Sequence, residues 1–158
     1  MDTPQVSIYT HLSIGIVCRD GGDGREYLVQ EYNSGDGIQI KFPGGTNADQ
    51  LHETPEETLA REYPEETGLE LPRDARKIWS SNKMKNADGQ PGFHQKIAFI
   101  AEMKNCRGTL RTEPMDDGGD FLSPPFWRTA EELLTNVRNG GLFWTHRPAL
   151  QAAMIHMF

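Results

Sequence analysis

Short apolar runs rich in β-branched residues alternate with glycine-containing turns along most of this chain. Runs of this kind predict β-strands when turn residues bound them on both sides. By this criterion, strands are expected at residues 6–19, 27–32, 38–42, 76–84 and 94–103. Polar, glycine-rich segments predict turns after the first two strands and a loop at residues 86–92.

One helix has clear boundaries in the sequence. Thr54 suits the N-cap, Pro55 suits the first helical position, and Glu57 completes a capping box with Thr54. Gly68 stands where a left-handed residue commonly ends a helix, and Pro72 prevents continuation. The sequence therefore predicts a helix from Pro55 to the residue before Gly68.

Two more helices are expected after the last long strand. Residues 129–137 begin with a second capping box, formed by Thr129 and Glu132, and residues 145–156 form a C-terminal helix. Strands interspersed with a few helices predict an α/β (α+β) fold, in which helices cover both faces of a mixed sheet.

Composition bounds the class of protein. The chain has 158 residues, 36% of them hydrophobic, which predicts a single domain over residues 1–158 with a sizeable core. No apolar run approaches the ~18 residues that span a membrane, and the first residues do not resemble a secretory signal. The separated thiols of Cys18 and Cys106 are compatible with a reducing cytoplasm. A net charge of −7 argues against binding to a nucleic acid duplex.

The predicted helix after Thr54 carries an unusual group of carboxylates. Glu62, Glu65 and Glu66 lie at about 0°, 300° and 40° around a helix of 3.6 residues per turn, so they share one face. Like charges this close repel, and Arg61 is the one basic residue beside them in sequence. A divalent cation would relieve the repulsion, and oxygen ligands favour Mg²⁺ or Mn²⁺. Taken alone, the same pattern also fits a solvated acidic helix face.

Residues around these carboxylates favour the metal-site interpretation, because their spacing resembles the Nudix (MutT-like) signature, G-x5-E-x7-R-E-U-x-E-E-x-G-U with U a bulky aliphatic residue. The matching positions are Glu53, Arg61, Glu62, Glu65, Glu66, Gly68 and Leu69, and the preceding Phe42-Pro43-Gly44-Gly45 resembles the start of the family's loop. The resemblance implies an α/β/α sandwich with a mixed sheet. It also implies a metal-dependent pyrophosphohydrolase that cleaves a phosphoanhydride bond in a nucleoside diphosphate linked to another group.

The resemblance also implies roles for individual residues. Glu62, Glu65 and Glu66 would bind Mg²⁺ or Mn²⁺, and Gly45 would add its backbone carbonyl. Glu62 or a carboxylate from a later loop would help to deprotonate the attacking water.

Two further signature residues are expected to support the carboxylates. Arg61 would orient them by ion pairing, and Glu53 would hold Arg61 or the loop. Without the signature, Arg61 fits a surface ion pair with Glu57 equally well.

A later acidic loop, residues 112–120, offers one more ligand. Glu113 is the preferred candidate, and Asp116, Asp117 and Asp120 are the alternatives, as is a solvated loop without a ligand.

Three departures from the signature define an alternative function. Seven residues rather than five separate Gly45 from Glu53, Tyr63 replaces an aliphatic residue, and Pro64 lies inside the helix. An internal proline removes a backbone hydrogen bond and can kink a helix. The alternative is therefore a Nudix-like domain that binds a nucleotide as a sensor or regulator without cleaving it.

Substrate and assembly stay open at this stage. A nucleoside triphosphate, a nucleotide sugar, ADP-ribose and a dinucleoside polyphosphate all fit, and the family resemblance leaves a homodimer open. Aromatic residues that could stack on a base are Trp79, Phe93, Trp127, Phe143 and Trp144, and lysines that could contact phosphates include Lys41.

Overall fold

The computed structural model describes residues 8–35, 37–47, 52–87, 90–135 and 141–158. The strands, in chain order, are β1 (Ile8–Gly21), β2 (Gly24–Asn33), β3 (Ile38–Lys41), β4 (Gly44–Thr46), β5 (Leu69–Glu70), β6 (Arg76–Ala87), β7 (Gln90–Glu102), β8 (Arg107–Gly108), β9 (Met115–Asp117), β10 (Asp120–Leu122) and β11 (Phe126–Thr129). The helices are α1 (Pro55–Thr67), α2 (Ala130–Thr135) and α3 (Arg147–Ile155), with 3₁₀ turns at Met103–Asn105 and Trp144–His146.

The main sheet is mixed, as the sequence predicted. Its strand order is β6-β7-β1-β2-β10-β9, and β3 and β11 also pair with β2 while β4 pairs with β1. The β1–β7 pair is parallel and the other pairs are antiparallel. A separate two-stranded sheet, β5–β8, lies beside the C-terminal end of α1.

Helices cover both faces of the sheet. Successive β1 side chains point to opposite faces, so β1 contributes apolar residues to both. Ile14, Ile16 and Cys18 pack with buried residues of α2 and α3. Val17, between Ile16 and Cys18 in the strand, packs with Leu59 and Tyr63 of α1 on the opposite face. The predicted α/β sandwich is therefore confirmed.

The boundaries of α1 are those that the sequence predicts. Thr54 Oγ1 accepts the Glu57 amide hydrogen, and the Glu57 carboxylate accepts the Thr54 amide hydrogen, which completes the capping box. Gly68 ends the helix with φ 84°, a left-handed conformation that glycine adopts without strain. The helix runs unbroken through Pro64, whose carbonyl accepts the Gly68 amide hydrogen at 2.8 Å.

Replacing Pro64 with leucine is expected to raise the melting temperature by several degrees. Proline inside a helix costs about 3 kcal/mol or more, because the carbonyl four residues earlier, here that of Ala60, loses its donor and meets the proline ring. Differential scanning calorimetry of Pro64→Leu measures the gain. The control is Pro72→Leu, outside the helix, which should not stabilise the protein because proline there restricts the unfolded chain. A lower melting temperature for Pro64→Leu would show that packing around Pro64 depends on its ring.

Tyr63, which replaces an aliphatic residue of the signature, is fully buried under β1. A Cβ atom on Gly15 would lie 2.5 Å from the Tyr63 ring, so the ring occupies the space that a side chain at position 15 would need. Among the described residues, the Tyr63 hydroxyl has no hydrogen-bond partner. Burial raises the pKa of Tyr63 well above its ordinary value.

Several local predictions are wrong. The loop expected at residues 86–92 is replaced by an extended hairpin, in which Ala87 pairs with Gln90. The acidic segment after Glu113 is also not a plain loop, because it contains the β9–β10 hairpin. The C-terminal helix starts at Arg147, after a 3₁₀ turn, instead of at residue 145. Predictions for residues 6–7, 36, 48–51, 88–89 and 136–140, and for the side chain of Asp117, lie outside the described residues.

Among the residues that the structure describes, no helix is long and apolar enough to cross a membrane. Of the two described thiols, Cys18 is buried, as expected for a core residue, and Cys106 is half-buried; both are free.

Candidate functional site

The candidate site lies where α1 packs against β4, the short strand that contains Gly44 and Gly45. The Glu66 carboxylate accepts the Gly44 amide hydrogen at 3.1 Å and is nearly buried, with 7% of its side chain exposed. One turn earlier, Glu62 packs directly on Gly45, where an added Cβ atom would lie 2.4 Å from Glu62 Cγ and Cδ. Two carboxylates of α1 therefore contact backbone that only glycine leaves accessible.

The β1–β4 ladder decides which backbone carbonyls face these carboxylates. Gly15 N–H donates to the Pro43 carbonyl and Asn47 N–H donates to the His11 carbonyl, which makes these two pairs hydrogen-bonded. Such pairs alternate along an antiparallel ladder, so Gly45, opposite Ser13, directs its carbonyl toward β1. Gly44 faces α1, as its hydrogen bond to Glu66 shows. The ladder thus favours the Gly44 carbonyl over the predicted Gly45 carbonyl as a ligand.

Arg61 connects the signature acids through its guanidinium. Its Nε and Nη2 atoms donate to the two Glu53 carboxylate oxygens at 2.8 and 2.9 Å, and Nη1 donates to Glu62 Oε1 at 2.6 Å. Nη2 also donates to the Thr46 carbonyl at 3.2 Å, which ties the group to β4. A bidentate pair of this kind fixes the arginine plane. Arg61 therefore orients Glu62 and is held by Glu53, and no ion pair between Arg61 and Glu57 is observed in the described part of the chain.

Two residues that the sequence did not single out extend this network into the core. Thr58 Oγ1 donates its proton to Glu53 Oε1 at 2.8 Å, so it must accept the proton of His11 Nε2, which lies 2.6 Å away. Hydrogen bonds from Arg61, and from Thr58 in a lesser degree, lower the pKa of Glu53 to about 2. Glu53 is therefore a fully ionised anchor at neutral pH.

Removing the Thr58 hydroxyl is expected to flatten the acid dependence of stability. The pKa of Glu53 is lower in the folded protein than its ordinary value of 4.5, so its stabilisation is complete above pH 4.5 and is lost as the pH falls toward 2. Thr58→Val removes one donor, so the pKa of Glu53 should rise and this loss should become smaller. Urea unfolding at pH 7, 5 and 3 measures how the free energy of unfolding of Thr58→Val depends on pH. Thr58→Ser, which keeps the hydroxyl, is the control. Equal pH slopes for the two variants would contradict the assignment.

Lys41, at the end of β3, is a second cation beside the carboxylates. Its Nζ atom lies 3.6 Å from Glu66 Oε1 and also 5.3 Å from the centre of the Tyr32 ring. The sequence indicated Arg61 as the only basic neighbour, because Lys41 is distant along the chain. The structure corrects this view: Arg61 accompanies Glu62, and Lys41 accompanies Glu66.

The remaining predicted ligands are less closely placed. Glu65 is exposed on α1, and Glu113 is exposed just before β9. Asp116 accepts the Gly119 amide hydrogen within its hairpin, and Asp120 accepts the proton of the Tyr32 hydroxyl. Within the described ranges, no three His, Cys, Asp or Glu side chains already form a group that could hold a metal ion. Glu62 and Glu66 are instead paired with Arg61 and Lys41.

A cavity of about 140 Å³ opens next to Lys41 and Gly44. Its apolar lining is Leu12, Ile14, Phe42 and Phe143, and its polar lining includes Tyr32, Gln39, Lys41 and His146. Of the aromatic residues predicted to stack on a base, Phe143 lies here, whereas Trp127 stacks under Arg19, Phe93 stacks on Tyr9, and Trp79 packs against the core. Larger cavities of about 410 and 550 Å³ lie elsewhere and contact none of the α1 carboxylates.

His146 lines this cavity and is held in place by Phe42. Its Nδ1 atom accepts the Phe42 amide hydrogen at 3.1 Å, and its ring stacks on the Phe42 ring. Burial, followed by the nearby Lys41 and Lys96 charges, lowers the pKa of His146 to about 3. The ring is therefore neutral at physiological pH, with its proton on Nε2.

A family model described as the NUDIX domain matches residues 9–151 of this chain. The chain belongs to the Nudix family. It is thus a Nudix hydrolase, an enzyme that acts on nucleoside diphosphate derivatives. No curated protein matches it by sequence.

Solved Nudix structures share the fold. A MutT Nudix hydrolase from Burkholderia pseudomallei is 19% identical, with 91% of this chain and 97% of that chain covered and a TM-score of 0.64. A Nudix hydrolase from Nitrosomonas europaea is 15% identical, with coverages of 92% and 88% and a TM-score of 0.66. The Nudix domain of Shewanella oneidensis NrtR, solved in complex with ADP ribose, is 15% identical, with coverages of 95% and 88% and a TM-score of 0.62.

Proposed function

We propose that this Nudix protein uses Mg²⁺ or Mn²⁺ to hydrolyse a phosphoanhydride bond in a small nucleotide. The observation that carries the proposal is the placement of Glu62 and Glu66 against Gly45 and Gly44, with the Gly44 backbone facing the same space. All of these donors are oxygen atoms, which suit a hard divalent cation. The donor set therefore fits the metal that the family generally requires.

Glu62 and Glu66 would hold the metal, together with the Gly44 carbonyl, and Glu65 and Glu113 are further candidate ligands. When bound, the metal offsets charge on the non-bridging phosphate oxygens and favours ionisation of the attacking water. Water attacks one phosphorus atom, the bond from that phosphorus to the bridging oxygen breaks, and the phosphate group on the other side leaves with the bridging oxygen. A carboxylate, Glu62 or one from the later acidic segment, takes the proton of the water.

Lys41 and the neighbouring cavity would orient the substrate. Lys41 lies beside Glu66 and can approach a phosphate oxygen, which its charge attracts. Pockets that enclose a drug-sized ligand measure about 300–1,000 Å³, so the cavity of about 140 Å³ has room for only part of a nucleotide, such as the base. Phe143 and the neutral His146 ring line that space. These features would place a nucleotide base beside the phosphates that Lys41 attracts.

Product release over a nucleotide panel tests the proposal. All products, including nucleoside and sugar phosphates as well as phosphate and pyrophosphate, are separated by anion-exchange chromatography after incubation with and without Mg²⁺ or Mn²⁺. The panel contains nucleoside triphosphates, nucleotide sugars, ADP-ribose and dinucleoside polyphosphates. Release that requires the metal supports hydrolysis, and the ranking of substrates identifies the class. No release from protein shown to be folded would contradict the proposal and favour a nucleotide sensor. The course of α1 through Pro64 favours turnover, because Glu62 and Glu66 remain on one continuous helix.

A further inference from the structure

The C-terminal turn of α1 is held from outside the helix. The last carbonyls of a helix have no donor within it and need partners elsewhere. Here the Thr67 carbonyl accepts the Arg111 amide hydrogen at 2.7 Å. The Glu66 carbonyl accepts two side-chain donors, Arg111 Nε at 2.8 Å and Gln30 Nε2 at 3.0 Å. Glu66, the most buried of the α1 carboxylates, is thus fixed through its own backbone.

The guanidinium of Arg111 reaches three segments at once. Nε donates to the Glu66 carbonyl on α1, Nη1 donates to the Glu113 carbonyl before β9, and Nη2 donates to the Ser123 carbonyl after β10 at 3.2 Å. Gln30 on β2 repeats part of this pattern, since its Nε2 atom also donates to the Ser123 carbonyl at 3.2 Å. The carbonyls on either side of the β9–β10 hairpin are therefore joined to the turn that carries Glu66.

We propose that Arg111 is a positioning residue for hydrolysis: by binding the Glu66, Glu113 and Ser123 carbonyls together, it sets where the Glu66 carboxylate lies relative to the acidic segment that contains Glu113. The inference rests on the proposed function of Glu66 as a metal ligand. Among the described residues, the hydrogen bonds of the Arg111 guanidinium go to backbone oxygen atoms, so Arg111 acts through the residues it holds. Gln30 supports the same arrangement from the sheet.

Binding three carbonyls at once requires the planar guanidinium of arginine, which carries donors on three nitrogen atoms. Lysine keeps the charge but concentrates its donors on one nitrogen atom, so it cannot span three carbonyls that lie around the edge of a guanidinium. Arg111→Lys should therefore release at least one segment without removing the positive charge from the helix C-terminus. Arg107→Lys, an exposed position on β8 nearby, is the matched control.

The experiment measures Mn²⁺ binding and kinetics separately. Free Mn²⁺ is followed by electron paramagnetic resonance, and kcat and KM are measured with the best substrate of the panel at a temperature where circular dichroism shows every variant folded. For Arg111→Lys we expect Mn²⁺ binding to weaken about tenfold and kcat to fall about 10- to 100-fold, as for outer partners of metal ligands. KM should change little, and Arg107→Lys should match the wild type.

An Arg111→Lys protein that is folded and has wild-type Mn²⁺ affinity and kcat would overturn the inference, even if its melting temperature falls. If that variant does not fold, Arg111→Gln decides, because glutamine has a single donor nitrogen and cannot bind the Glu66, Glu113 and Ser123 carbonyls together. A weaker Mn²⁺ affinity supports the inference, and an unchanged affinity overturns it. A wild-type protein that neither binds Mn²⁺ nor turns over any substrate would overturn the proposed function itself.

Discussion

Replacing Glu66 with glutamine is expected to lower metal-dependent kcat by at least about a hundredfold while leaving the fold intact. The carboxylate is nearly buried between the Gly44 amide and Lys41. Glutamine has almost the same volume, and its amide oxygen can still accept the Gly44 hydrogen bond. It lacks the negative charge, and removal of one preorganised electrostatic group from a site commonly costs about 10²–10³ in kcat.

The measurement combines kinetics, Mn²⁺ binding and thermal unfolding. Glu66→Gln should bind Mn²⁺ more weakly, whereas Glu70→Gln, an exposed carboxylate on β5, should match the wild type. The melting temperature should change by only a few degrees, because Lys41 is partly exposed and can reach water when its partner is lost. Substantial activity in Glu66→Gln would remove Glu66 from the set of metal ligands.

A methyl group on Gly45 is expected to lower kcat about a hundredfold with little change in stability. The added Cβ would lie 2.4 Å from Glu62 Cγ and Cδ, a distance that forces the Glu62 side chain to move. Because Glu62 is also bound to Arg61 at 2.6 Å, moving it disturbs the orientation of both groups.

The neighbouring position, Gly44, should respond differently. A Cβ on Gly44 would lie 2.0 Å from the Ser13 carbonyl, which belongs to the sheet backbone and cannot rotate away.

Gly44→Ala is therefore expected to destabilise the protein by about 1–3 kcal/mol or more, the usual range for overpacking. Gly22→Ala is the control for both variants, since an added Cβ there meets no atom within 4 Å. Urea unfolding and steady-state kinetics on the three proteins separate the effects. If Gly45→Ala loses stability and keeps kcat, then Glu62 does not depend on the absence of a side chain at position 45.

Local signals account for the parts of the fold that the sequence predicted well. The limits of α1 follow from Thr54, Pro55 and Gly68, whose effects act within one turn of the helix. The long strands follow from their apolar runs. The short strands β4, β5 and β8 have no such run, because each exists only through pairing with a partner distant in sequence.

Some errors could have been avoided. Asp88-Gly89 is a strong signal for a two-residue hairpin turn, and it separates the paired residues Ala87 and Gln90. Gly118-Gly119 is a similar signal inside the acidic segment, and both glycines adopt positive φ between β9 and β10.

The site was predicted from the sequence only as far as the signature extends. Glu53, Arg61 and Glu62 come together because they share one helix and its preceding loop. Lys41, His11 and Arg111 reach that helix from other strands and segments. No pattern along the chain relates them to it, so only the folded structure reveals their contacts.

The contact between Gly15 and Tyr63 links two positions in evolution. A Cβ atom on Gly15 would lie 2.5 Å from the Tyr63 ring, so the ring fits only because residue 15 has no side chain. A mutation that enlarges residue 15 is harmful while Tyr63 fills the adjacent space. If residue 63 becomes smaller first, it leaves a cavity that a later substitution at residue 15 can fill. Related sequences should therefore vary at these two sites together, and a sequence with a smaller residue at position 63 can carry a side chain at position 15.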